Sequence, residues 1–391
     1  MEKIKYAVIG SGRQGIACGY DLAKNGNASN VLILDLDIDL ALKGAQRINN
    51  LLNTDIVSYD TIDVNDHKSL VKILKDIDVF ISAVPYHLNP KITKAAIEAG
   101  TSMVDLGGHT DNVIKQLEFN GMAKNKKITI VPDCGMGPGM NISMALLAME
   151  QLEKPEEVRI WDGGLPQKPE KPWNYNLFFH INGLTNEYYG DAYFIRNNKI
   201  SPVKCFEDIE IVNFIDLDIE LEASVTSGGL STMPWTFENK LRVLENKTLR
   251  YPGHWEWMIA YRELGLFEEK PVKYLNGEIS PRDFYHHLLE PKLNKGLVED
   301  ICLMRVESKG LVQGIKYKTI VECVEYFDDK TGFTAMEKWT GWHASIVAIE
   351  IGQKRIPAGA ISIENALSGK VFYDKARLRD FEIKINIEKE I

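Results

Sequence analysis

Residues 10–15 read Gly10-Ser11-Gly12-Arg13-Gln14-Gly15, between an apolar run, Tyr6-Ala7-Val8-Ile9, and an amphipathic stretch reaching to about Asn25. A G-x-G-x-x-G on its own says little, because glycine is common in loops of every kind. Between a strand and a helix, with an acid about 20 residues further on, it restricts the chain to one kind of βαβ unit. Here the acid is Asp35, which ends a second apolar run, Val31-Leu32-Ile33-Leu34. In such a unit Gly10 permits the tight turn, Gly12 lets the backbone approach a pyrophosphate, and Gly15 lets helix and strand pack closely. The helix N-terminus then offers free N–H groups and a partial positive charge to phosphates. Gly10, Gly12, Arg13, Gln14, Gly15 and Asp35 are therefore expected to hold a dinucleotide.

From residue 5 to about 151, apolar runs alternate with helical patterns. Strands are expected at 5–9, 31–35, 56–59, 78–83, 102–105 and 128–132, and helices near 13–25, 38–52, 66–75, 90–99 and 111–124. Asn89-Pro90 offers an N-cap and a first-turn proline, and Gly100 a C-terminal stop. Six strands with right-handed crossovers make a Rossmann-type α/β domain, a doubly wound parallel sheet in the order 3-2-1-4-5-6. Ligands bind beyond the C-terminal strand ends of such sheets. That gathers Gly10–Gly15, Asp35, Ser82–Tyr86 (including Ala83, Val84 and Pro85), Leu106–His109 and Asp133–Gly139 around one crevice. A carboxylate at Asp35 accepts bonds from ribose hydroxyls and repels a 2′-phosphate. Leu36-Asp37-Ile38-Asp39 adds two acids and no cation. NAD is expected ahead of NADP, although Arg13 could still meet a phosphate.

After about residue 155 the texture changes to an α+β pattern. Strand-like runs occur at 157–161, 175–181, 192–196, 209–214 and 315–326, and helical ones at 231–245, 254–264 and 281–290. Gly163 to Trp173 reads as a long irregular connection, and His286-His287 as a surface pair. Residues 1–135 and about 341–391 are expected to form the NAD-binding domain, with 136–340 a substrate and oligomerisation domain.

At 391 residues, 45% hydrophobic and 26% charged, the chain has the make-up of a globular protein with an ample core. A net charge of -9 argues against nucleic acid or an anionic membrane as partner. No apolar run approaches the roughly 18 residues of a membrane span. The first strand follows the N-terminus directly, leaving no room for a signal peptide. The five cysteines are scattered and odd in number, as suits reduced thiols in a cytoplasm, and no His/Cys/Asp cluster has metal spacing.

Four further motifs occur in order: Asp105-Leu106-Gly107-Gly108; Val131-Pro132-Asp133-Cys134-Gly135-Met136-Gly137-Pro138-Gly139; Gly163-Gly164-Leu165-Pro166; and Thr248-Leu249-Arg250-Tyr251-Pro252-Gly253-His254. Together they resemble the saccharopine dehydrogenase-like superfamily, most closely its short L-lysine 6-dehydrogenase branch. The resemblance spans nearly the whole chain. It implies oxidation of a C–N bond with a nicotinamide cofactor, a small amino-acid substrate, and a homodimer or homotetramer. Saccharopine reductases carry an acid–base Asp where this chain has Gly137, a Cys where it has Asp162, and a basic residue that is missing from Asn186-Glu187-Tyr188-Tyr189. Fewer cations and more carboxylates suit a substrate with an extra ammonium, which favours lysine over saccharopine or a carboxylated polyamine. A non-catalytic NAD-binding sensor is the other class the Gly137 departure leaves open.

Oxidising an amine needs a base, since a protonated nitrogen has no lone pair to expel hydride. A carboxylate can serve when burial or neighbouring carboxylates raise its pKa. Asp133, Asp162 and Glu187 are the candidates, although Asp133 could instead cap the helix beginning near Pro138. Arg250, with Arg242 in reserve, is expected to face the substrate carboxylate in two-point geometry. Tyr188, Tyr251 and His254 are expected to line the same pocket.

Overall fold

A computed structural model describes residues 2–214 and 217–390. The first sheet holds seven parallel strands. In chain order the first six are β1 (Ile4–Ile9), β2 (Ala28–Asp35), β3 (Val57–Thr61), β4 (Val79–Ser82), β5 (Ser102–Asp105) and β6 (Thr129–Val131). Their spatial order is the expected 3-2-1-4-5-6, and Gly359–Ala360 adds a seventh strand beside β6. Strand order reverses between β1 and β4, where Ile9 lies opposite both Leu34 and Ser82. The loops after these strands therefore share one edge, which brings Gly10, Asp35 and Ala83 together.

The second sheet has nine strands and mixed direction. At its centre Lys154–Pro166 runs parallel to Val243–Arg250 and antiparallel to Asp300–Val312. Three expectations fail here for reasons of tertiary packing. Gly163-Gly164-Leu165-Pro166 is not irregular but the end of a central strand. Residues 175–180 form no strand, and a helix, Ile181–Glu187, begins where the expected strand would end. The expected helix at 231–245 shrinks to Met233–Phe237, after which Asn239 turns in the left-handed region and Val243–Arg250 becomes a strand. Its backbone gains a ladder from Val243 opposite Glu157 to Thr248 opposite Asp162. Pairing with a formed sheet outweighs the weak helical period of those residues.

Helix Ala335–Gly352 joins the two sheets. Every residue from Ala335 to Ile351 is buried, so the helix is covered on all faces, unlike a surface helix. Gly341 sits where a Cβ would lie 2.7 Å from that of Ala17, so only glycine lets this helix touch helix Arg13–Asn25. The Asp300 carboxylate caps its start, accepting from the Ala335 and Met336 N–H groups at 2.7 and 2.9 Å. Buried Arg379 grips Asp21 on the first helix through its Nε and Nη2. The last strand departs from the expected packing on the first domain: Ile383–Lys389 pairs antiparallel with Ile315–Tyr326 in the second sheet. Its alternating side chains complete an open edge there, whereas the edge of the first sheet is already closed by Gly359–Ala360.

All five cysteines are buried and free. No described helix is long and apolar enough to cross a membrane.

Candidate active site

A crevice of about 900 Å³ runs between the two sheets. On the first-domain side it is walled by Gly12, Arg13, Gln14 and Gly15, then by Ala83, Val84 and Pro85, then by the loops 106–111 and 135–138. The glycine loop has the form of a dinucleotide cradle. Gly10 has φ of +100°, and a Cβ there would come within 2.7 Å of the Ala83 carbonyl oxygen. A Cβ on Gly15 would run into the Gly10 carbonyl, while one on Gly12 would meet nothing within 4 Å. Open space over Gly12 is what a pyrophosphate needs. Helix Arg13–Asn25 has no side-chain cap and no acid in its first turn, so its N–H groups remain available to an anion. Both polar atoms of the Gln14 side chain are buried without a partner, as expected of a residue waiting for a ligand. The residues present fit the cofactor.

Asp35 braces this loop from below. One of its oxygens accepts from the Ser11 N–H and hydroxyl, each at 2.7 Å, and the other from the Asp37 N–H at 3.1 Å. Partial burial alone would raise its pKa, but these bonds outweigh it and hold the carboxyl below its usual range. Arg13 reaches across the crevice, its Nη2 donating to the Gly296 carbonyl at 2.8 Å.

The three candidate carboxylates sit at different depths. Glu187, at the C-terminal end of helix Ile181–Glu187, faces the crevice directly. Asp162, on the central strand, lies just behind Gly137: its Oδ2 is 2.5 Å from where a Cβ of residue 137 would stand. Its Oδ1 accepts from Asn246 Nδ2 at 2.8 Å. Asp133 does not cap a helix, since helix Met140–Met149 starts from Gly139. It is folded under Gly107, with φ of +58°. Neither of its oxygens has a well-formed hydrogen bond, and the Ser231 hydroxyl is equally unpaired.

All three are pushed up in pKa, and burial is the first cause in each. Asp133 rises to about 7, helped by the charge of Asp105. Asp162 rises to about 6, held back by Asn246 and Arg250. Glu187 rises to about 7, with Arg250 lowering it and Asp162 raising it. A carboxyl with a raised folded pKa is favoured protonated, so the fold loses stability as pH climbs from the unfolded value through the folded one. For Asp133 that window runs from about 4 to about 7. Asp133→Asn should therefore gain on the wild type by roughly 2 kcal/mol more at pH 8 than at pH 5, measured by urea unfolding. An equal difference at both pH values would show that Asp133 does not titrate in this window.

The remaining sequence candidates lie behind the wall. Arg250 is buried under the crevice: Nε donates to the Tyr188 hydroxyl at 3.0 Å, Nη1 to the Leu249 carbonyl at 2.9 Å, and Nη2 lies 3.4 Å from Glu187 Oε2. Its guanidinium also stacks over Tyr175, 4.7 Å from the ring centre. Each of its three nitrogens has a protein partner and it does not line the crevice, so it supports Glu187 from behind. His254 Nδ1 donates to the Trp173 carbonyl at 2.8 Å, which leaves Nε2 to accept from the Tyr188 hydroxyl at 3.0 Å. Burial and then Arg250 lower the imidazole to about 3, so it is neutral. Tyr251 is spent on the Pro166 carbonyl at 2.9 Å. Arg242 is half-exposed and paired with Glu157, away from the crevice.

Several wall residues had escaped the sequence reading. The segment Thr226–Ser231 faces the crevice, with Ser227 bonded through N–H and hydroxyl to the carbonyls of Glu187 (2.8 Å) and Asn186 (2.6 Å). It locks the end of the helix that presents Glu187. The Ser227-Gly228-Gly229 run was its one local signal. Asn186, beside Glu187 in the stretch Asn186-Glu187-Tyr188-Tyr189, also faces the crevice, as do Asn246 and Arg282, which nothing in their local sequence marks. His286 is buried against Thr185 and is not the surface residue expected.

Comparison with known proteins agrees with this geometry. The model described as "Saccharopine dehydrogenase NADP binding domain" matches residues 6–131, and "Saccharopine dehydrogenase C-terminal domain" matches residues 135–377. The mitochondrial alpha-aminoadipic semialdehyde synthase of Mus musculus is 24% identical over 71% of this chain and 30% of its own length. The NADP(+), L-glutamate-forming saccharopine dehydrogenase of Saccharomyces cerevisiae is 26% identical over 37% of this chain and 33% of its own. The chain thus spans about a third or less of these relatives. In fold it is similar to apo saccharopine dehydrogenase (L-Glu forming) from Saccharomyces cerevisiae, with TM-score 0.78 at 17% identity over 98% of this chain and 100% of that one. Homospermidine synthase from Legionella pneumophila, solved with NAD, gives 0.66 at 11% identity over 99% and 92%. With both family models matched in order and a glycine cradle shaped for a nicotinamide dinucleotide, the chain belongs to the saccharopine dehydrogenase family.

Proposed function

We propose that this chain is an NAD-dependent amine dehydrogenase that oxidises the ε-amino C–N bond of L-lysine, yielding 2-aminoadipate 6-semialdehyde and ammonia. The observation that carries the reading is Glu187, a crevice-facing carboxylate with a pKa near 7, backed by the buried charges of Asp162 and Arg250. The crevice as a whole is acidic. Among the described residues that line it, Asp111, Glu187, Asp191, Glu269 and Glu290 outnumber Arg13 and Arg282. Such a wall attracts an ammonium and suits saccharopine, with its extra carboxylates, less well. The names of the matched relatives likewise point to lysine-derived substrates.

Glu187 would take the proton from the ε-ammonium, freeing the nitrogen lone pair that expels hydride. When bound, the nicotinamide supplies the hydride acceptor. After passing that proton to solvent, Glu187 would take one from the water that adds to the substrate iminium, hand it to the nitrogen of the carbinolamine, and accept the carbinol hydroxyl proton as ammonia departs. A carboxyl near pH 7 exchanges protons in both directions at little cost. Arg250 and the Ser227 bonds hold it in place. Gly12, Gln14 and Gly15 would hold the pyrophosphate. Asp35 would take ribose hydroxyls, and no cation follows it before Lys43, which favours NAD over NADP.

The Gly137 departure does not leave the site without an acid. A side chain at 137 would come within 2.5 Å of Asp162 Oδ2, so an aspartate there would require the Asp162 carboxyl to turn aside. In this reading the carboxylate that the reductases carry on the loop is supplied here from the strand. That weighs against a sensor that lost its chemistry.

The test is reduction of NAD, and separately NADP, with L-lysine, L-ornithine, saccharopine and carboxynorspermidine. NADH formation with lysine is expected to exceed the others by at least an order of magnitude. Turnover of saccharopine alone would overturn the substrate. Tight NAD binding without turnover of any amine would overturn the enzyme.

A further inference from the structure

A substrate with ammonium at one end and carboxylate at the other needs a cation as well as a base, and Arg250 does not line the crevice. Arg13 belongs to the glycine loop and is spent on Gly296. That leaves Arg282, in the first turn of helix Pro281–Leu293 and only 5% exposed. Its Nε donates to the Phe267 carbonyl at 2.7 Å and its Nη1 to Asn186 Oδ1 at 3.3 Å, with Glu269 paired to the same nitrogen. The plane lies over the Tyr189 ring, 4.6 Å from its centre. Nη2 has no partner, and neither does Asn186 Nδ2 beside it; both residues line the crevice. Two adjacent buried donors without an acceptor are costly to leave unmet. A carboxylate supplies two acceptor oxygens and balances the guanidinium charge.

Resting on the dehydrogenase reading, we propose that Arg282 and Asn186 form the subsite that grips the carboxylate of an amino-acid substrate. Asn186 and Glu187 are consecutive in sequence, so one helix end presents both the carboxylate grip and the proton acceptor. That pairing selects an amino acid over a simple diamine. Glu269, mostly exposed and also on the crevice wall, pairs with Nη1 and leaves Nη2 to the ligand.

The test separates recognition from chemistry by using L-norleucine, which has the α-carboxylate of lysine and no ε-amine to oxidise. Its binding to the NADH complex is measured by calorimetry. The wild type should bind it, and Arg282→Gln should weaken binding about 30-fold, as expected for lost charge-assisted bonds, with NADH affinity retained. Asn186→Asp keeps the acceptor for Arg282 Nη1 but turns the free donor into an oxygen, so it should weaken norleucine at least as much. Unchanged norleucine affinity in Arg282→Gln, or no norleucine binding by the wild type, would overturn the subsite. Should Arg282→Gln lose NADH binding as well, Asn186→Asp decides: weaker norleucine supports the subsite and unchanged norleucine overturns it. Arg282-dependent norleucine binding without turnover of any amine would leave the subsite standing and remove the dehydrogenase reading instead.

Discussion

Glu187→Gln is expected to lower kcat for amine oxidation by about 10²–10⁴-fold, the usual range for removing a general base. The amide is isosteric and can still accept from Arg250, so the fold and NADH affinity should persist. The wild-type kcat should rise with pH through about 7, because Glu187 must be ionised to take the ammonium proton. That limb should vanish in Glu187→Gln. Asp162→Asn provides the sign check: the charge of Asp162 is one cause of the raised Glu187 pKa, so removing it should shift the limb to lower pH. Steady-state kinetics from pH 5 to 9 would measure both. Full activity with an intact limb in Glu187→Gln would eliminate Glu187 as the base, and an upward shift in Asp162→Asn would contradict the coupling.

The second large effect concerns the glycine loop. Gly15→Ala forces its Cβ into the Gly10 carbonyl, so the loop must move as a whole and its N–H groups lose their aim. Losing two phosphate bonds of about 1.5–3 kcal/mol each predicts at least a hundredfold weaker NADH binding. Gly12→Ala meets no protein atom, so its Tm should stay at the wild-type value while its methyl group occupies the approach of the pyrophosphate. Fluorescence titration with NADH, alongside thermal melting, tests the pair. Wild-type affinity in both variants would mean that the dinucleotide binds elsewhere.

The parallel domain was legible in the chain because its signals are local. Most strands of β1–β6 contain a short apolar run, helices Ile38–Leu52 and His67–Leu74 are capped by Asp37 and Asp66, and the glycine spacing needs no distant partner to be meaningful. Asp35 could be found by counting from Gly10. The second domain resisted the same treatment. Residues 231–245 read as a helix, yet from Val243 the chain is a strand to Arg250 because Lys154–Pro166 offers it a ladder. Ile383–Lys389 reads as a strand in either context, and only the open edge at Ile315–Tyr326 says which sheet it joins.

The candidate site divides along the same line. Sequence motifs were enough to single out Glu187, Asp162 and Arg250, since each sits in or beside a recognisable stretch. Their depths were invisible there. Burial and charge on charge depend on what the rest of the chain packs around a group, and these make Glu187 a crevice residue with a pKa near 7 and Arg250 its support. Arg282 had no motif at all. It acquires meaning from Asn186, nearly a hundred residues earlier, through a contact that no spacing rule encodes. The glycine loop specifies its own shape and its phosphate chemistry, because backbone sterics act over a few residues. Which side chain meets an amine, and which meets a carboxylate, follows from contacts between distant segments, because the crevice exists only where the two sheets close on each other.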